Sequence, residues 1–101
     1  MAIIYHIAMP EDWKKAQSKG SYEAPSLKTE GFIHCSEKQQ VKGVLERYFS
    51  NRSALLLLAL DTEKLHSPLK YELAPSIHEE FPHVYGSINV DAVVEVEEIE
   101  A

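Results

Sequence analysis

The run "ALLLLAL" at Ala54–Leu60 is seven residues without one polar side chain. A strand with one face in water alternates apolar and polar residues, and this one does not. It has to be covered on both faces, which makes it a central strand with layers on either side. It is far too short to span a bilayer.

The segments around it supply those layers. Ala2–Ala8, "AIIYHIA", is rich in β-formers and reads as a buried first strand. Pro10 with Glu11 and Asp12 then opens a helix, because proline fits the first turn and acids favour the positive end of the dipole. Trp13, Ala16 and Gln17 share one face, and Gly20 closes the helix. Ser21–Thr29 reads as loop with a possible short strand, Glu30–Gly31 as a turn, and Phe32–Cys35 as the second main strand. Ser36 with Gln39 has the S-x-x-Q form of a capping box. The helix it would start runs from Glu37 to about Ser50 and would bury Val41, Val44, Leu45, Tyr48 and Phe49.

After the turn at Asn51–Ser53 come the central strand and a single turn capped by Asp61. Leu69–Leu73 is a further strand, and Ala74–Pro82 a loop with Pro75 and Pro82 as breakers. His83–Ile88 is a short strand or turn, and Ala92–Ile99 a last strand with acidic residues facing water. The order is β-α-β-α-β-β-β-β. Two helices near the N-terminus and strands thereafter imply an α+β fold with a mixed or antiparallel sheet. No Gly-rich GxGxxG or Walker A pattern is present.

With 101 residues, 45% hydrophobic and 26% charged, residues 1–101 make one globular domain. The net charge of −6 and the scattered ten Lys and Arg argue against duplex nucleic acid as a main ligand. A small-molecule or nucleotide ligand stays open, since few donors can hold one. A single Cys makes no internal disulfide, and the N-terminus lacks a basic signal-like region. The expectation is a cytoplasmic protein off the membrane, a monomer or weak homo-oligomer.

Three histidines stand where strands could bring them together: His6 mid-strand, His34 at a strand end, and His83 after Pro82. Each also has a plain reading as a satisfied core or loop histidine. His34 precedes a helix start, where free N–H groups favour anions. Cys35 points opposite to His34, so if His34 faces a cleft Cys35 faces the core. Glu72 is either a carboxylate in the cleft or a surface acid. Tyr22, in the loop, could wall a pocket. A zinc site from the three histidines is conceivable, but no CxxC or HExxH spacing supports it.

Taken together, "IYHIA", Trp13 with Ala16 and Gly20-Ser21-Tyr22, "EGFIHCS", "LLLLALD", "YE", "FPHVYGSI" and "AVVEV" resemble the domain-of-unknown-function 952 family of small bacterial proteins. The resemblance runs from Ile3 to about Val96. Tyr71 stands where that family usually has Trp. The family is similar in fold to ADP-ribosyltransferases and RNA 2′-phosphotransferases. That implies split small sheets around a cleft for NAD, and transferase chemistry. By position, His6 would hold the nicotinamide ribose and His34 would stack on the nicotinamide, with Ser36 and Tyr22 as further cofactor-binding residues. His83 or Tyr85 falls in the third motif, where no catalytic Glu is found unless Glu72 substitutes. His34, His83, Glu72 and Tyr85 are thus the catalytic candidates. A non-catalytic module for a nucleotide or small anion is the alternative, and a metal-dependent hydrolase built on the histidines the third reading.

Overall fold

The computed structural model describes residues 2–101. The chain runs β1 (Ile3–Ala8), α1 (Pro10–Lys19), β2 (Ser21–Tyr22), α2 (Pro25–Thr29), β3 (Ile33–His34), α3 (Val41–Tyr48), β4 (Leu55–Asp61), β5 (Leu69–Ala74), β6 (Glu79–Val84), β7 (Ile88–Asn89) and β8 (Val93–Ile99). The fold is α+β, and every strand pair is antiparallel.

The apolar run is central, as its composition requires. In the order β1-β4-β8 it lies between the other two strands. Leu58 and Leu60 on one face and Leu55 and Ala59 on the other are all buried. Leu58 and Leu60 join Ile4, Trp13, Ala16, Tyr22 and Ile88 in the main core. The exposed Glu95, Glu97 and Glu98 of the edge strand β8 do face water.

α1 forms as its sequence dictates. Pro10 takes the first helical position, Gly20 adopts φ 92° beyond the end, and its N–H bonds Ala16 O at 2.7 Å. Trp13 and Ala16 are buried, whereas Gln17 is exposed. Two helices were expected, and the described residues form three α-helices. In Ser21–Thr29, expected as loop with a short strand, the strand is β2, and the remainder holds α2, which Pro25 opens from a position where its missing N–H costs nothing.

A second sheet has the order β3-β6-β5. Part of the expected loop Ala74–Pro82 is therefore strand: only Pro75–His78 turns, and Pro82 lies inside β6. Its carbonyl accepts from Cys35 N–H at 3.0 Å. N–H and C=O of one residue point to the same side of a strand, so the donor that Pro82 lacks would also have faced β3. That is where the chain leaves β6. One residue on, Ser36 exchanges two backbone bonds with Tyr5 of β1, at 2.7 and 2.8 Å. The segment from Ile33 to Ser36 thus ties the two sheets together at one point.

This bridge also moves the helix cap. Ser36 is held extended by Tyr5, so Glu37, not Ser36, is the cap. Its side chain accepts from the Gln40 backbone, and Gln40 Oε1 accepts from Glu37 N–H at 2.9 Å. A 3-10 turn at Lys38–Gln40 follows before α3. The burial expected of this helix is not found: no α3 residue is buried, and Tyr48 is 69% exposed. No helix among the described residues is long and apolar enough to cross a membrane.

Candidate functional site

Where the two sheets separate beyond the Tyr5–Ser36 bridge, a cleft of about 570 Å³ opens. The second sheet contributes His34, Ala74, Phe81 and His83; β1 contributes His6 and Ile7; α3 and the residue after it contribute Val44, Tyr48 and Phe49. Glu30 also lines it.

The register explains why two histidines meet. His34 and His83 are direct partners in the β3–β6 ladder, so their side chains share one face. Their ring centroids are 5.2 Å apart at 82°. Phe32, two residues before His34 and hence on the same face, stacks on His83 with centroids 4.1 Å apart.

Each imidazole has a carboxylate. Glu72 Oε1 accepts from His83 Nδ1 at 2.7 Å and from the Tyr85 hydroxyl at 2.5 Å. These two donors, Tyr85 first, hold the Glu72 carboxyl below its ordinary range, and the same bond raises the Tyr85 phenol. An ionised carboxylate only accepts, so His83 carries its proton on Nδ1. Its Nε2 makes no hydrogen bond to any described residue. His34 Nε2 lies 3.1 Å from Glu30 Oε2, a half-exposed pair that constrains little.

His6 and Tyr22 stand apart from this group. His34 O can only accept, so His6 Nδ1 donates to it at 2.6 Å; His6 Nε2 then accepts from the Tyr22 hydroxyl at 2.7 Å. Both side chains are buried, and burial lowers the His6 pKa to about 4 and raises that of Tyr22. His6 reaches the cleft wall but offers it neither nitrogen. Tyr22, expected in a loop, is on β2 and wholly inside the core. Ser36 lines the cleft, but its backbone is taken up by Tyr5. Cys35 is buried in the core, where burial pushes its thiol up and leaves no reactive thiolate. Among the described residues no group of three or more His, Cys, Asp or Glu is placed to hold a metal ion. The three-histidine zinc arrangement is therefore not formed.

The structure brings together His34, His83, Glu72 and Tyr85 from the expected set; His34 and His83 line the cleft, whereas Glu72 and Tyr85 stand behind His83 and do not. It adds Glu30, Phe32, Phe81 and the α3 residues. Phe32 and His34 alternate along "FIH", a signal the sequence did contain.

The fold and cleft define a small α+β protein with two antiparallel three-stranded sheets joined at one bridge and an imidazole-lined opening between them. A family model described as "Protein of unknown function (DUF952)" matches residues 7–96, and the chain belongs to that family. The crystal structure of protein CC0527 from Caulobacter crescentus is similar, with a TM-score of 0.88 and 29% identity, covering 98% of this chain and 87% of that one. The solution NMR structure of CC0527 gives a TM-score of 0.83 and 30% identity over 99% and 86% of the two chains. No curated protein matches the sequence.

Proposed function

We propose that the cleft is the active site of a small-molecule transferase or hydrolase that works by paired acid–base catalysis. One observation carries this reading. His83 has Nδ1 tied to Glu72, its Nε2 unengaged, and His34 directly across the strand pair. His83 Nε2 takes a proton from the attacking group, and Glu72 stabilises the imidazolium that forms. His34 delivers a proton to the leaving group. Tyr85 keeps Glu72 ionised and in place. The test uses chromogenic ester, glycoside and phosphodiester substrates. Turnover that falls at least about tenfold in both His83→Ala and His34→Ala supports the assignment. Turnover that survives both substitutions, or none with any substrate, removes it; the latter leaves a binding module.

The second reading is an ADP-ribosyltransferase-like cleft with NAD as cofactor. What favours it is the split between the sheets, with His6 on the first strand and His34 beside the opening. His6 then acts by fixing the His34 backbone, since both its nitrogens are engaged. A thermal-shift titration with NAD, ADP-ribose and nicotinamide tests this reading. Stabilisation by NAD that is lost in His34→Ala supports it, and no shift with any of the three removes it.

A further inference from the structure

Resting on that acid–base reading of the same cleft, we infer that its substrate is an uncharged, ring-bearing molecule without a phosphate group, held by the apolar side of α3. The walls are apolar on three sides: Ile7 from β1, Phe81 from β6, and Val44, Tyr48 and Phe49 from α3 and its end. The cleft volume, about 570 Å³, suits a small organic molecule. α3 carries an apolar stripe that is only partly covered: Val41, Val44 and Leu45 are half-buried and Tyr48 is exposed. A ring between α3 and Phe81 would cover that stripe.

Charge points the same way. No Lys or Arg lines the cleft, and the only carboxylate in its wall is Glu30. Lys70, the ladder partner of His83, lies outside the wall with its Nζ 5.1 Å from the Tyr85 ring, on the side of the Glu72 carboxylate, which it helps to offset. The chain carries −6. Anions can also be held by free backbone donors, but those nearest the cleft are engaged. Cys35 N–H bonds Pro82 O, Ser36 N–H bonds Tyr5 O, and Glu37 N–H bonds Gln40 Oε1. The Glu37 carboxylate caps the turn that leads into α3 and would repel a phosphate there. A neutral ring keeps the imidazoles free for proton transfer.

Amide NMR of the full chain tests this with indole, quinoline and benzamide against ADP-ribose and pyrophosphate. The uncharged rings are expected to shift the amides of Ile7, Val44, Tyr48 and Phe81. Tyr48→Ser, at a site too exposed to threaten folding, is expected to weaken that binding about tenfold. Tighter binding of ADP-ribose or pyrophosphate at the same amides would overturn the inference. So would the absence of any shift in the cleft with the uncharged rings, or ring binding unchanged in Tyr48→Ser. Glu72→Gln separates the two claims: Glu72 does not line the cleft, so its loss should lower turnover at least about tenfold and leave ring binding within about threefold.

Discussion

His34 and His83 face each other as direct partners of one antiparallel ladder, with Phe32 stacked on the second ring. The pairing is backbone-determined. Any change that slips β3 against β6 by one residue would turn His34 to the opposite face. The site therefore depends on the bridge between Tyr5 and Ser36, which pins the end of β3 to the first sheet.

Glu72 should make the stability of the fold sensitive to acid. Its folded pKa is lowered from 4.5, by the Tyr85 bond first and then by His83. A depressed carboxyl stabilises the fold above its unfolded value and loses that contribution as pH falls through the folded one. Glu72→Gln is expected to flatten the stability profile below pH 4.5, with little change in its slope above. Urea unfolding at a series of pH values reads this directly. Tyr85→Phe should give an intermediate profile.

A second pH dependence comes from His6. Its pKa falls from 6.5 unfolded to about 4 folded, because burial disfavours the charged ring. Between those values the unfolded chain binds the extra proton, so stability drops as pH falls from 6.5 to about 4. The loss is about 3 kcal/mol in full. At neutral pH, Tyr22→Phe should cost roughly 1–3 kcal/mol, since it leaves His6 Nε2 buried without a donor. An unchanged melting point in Tyr22→Phe would mean that this bond contributes little.

Gln40 joins the start of α3 to the β5–β6 hairpin. It accepts from Glu37 N–H, and its Nε2 donates to Glu80 O at 2.9 Å. Gln40→Ala is expected to destabilise the chain by about 1 kcal/mol. The accompanying sign is faster hydrogen exchange over Val41–Tyr48, without change in α1.

Even in the wild type, α3 should exchange its amides sooner than α1. α1 buries Trp13 and Ala16, whereas the best-covered residues of α3, such as Val41, Val44 and Leu45, are only half-buried. Exchange mass spectrometry or NMR reads the order. Protection of α3 equal to that of α1 would contradict a loosely held cleft wall.

Much of this architecture is legible in the residues. "ALLLLAL" requires a central strand, Pro10 and Gly20 bracket α1, and strand alternation sets His34 and Cys35 on opposite faces. The α3 stripe misleads because helical spacing shows which residues share a side, not whether anything packs on it. Pro82 reads as a breaker because its tolerance in β6 depends on where a segment distant in sequence, at Cys35, leaves the sheet. The cap at Glu37 is displaced by a long-range bridge that local rules cannot see. Glu72 has no sequence mark of its own; only the β5–β6 register sets it beside His83. His6 looks free in "IYHIA", and its engagement needs two distant partners, His34 and Tyr22.

The most direct measurement is a long-range proton–nitrogen NMR spectrum of the histidine rings at neutral pH. The paired acid–base site requires His83 protonated on Nδ1 with a bare Nε2, and a change in the His83 ring signals in His34→Ala. A His83 ring protonated on Nε2, or one indifferent to the loss of His34, would contradict the paired acid–base site.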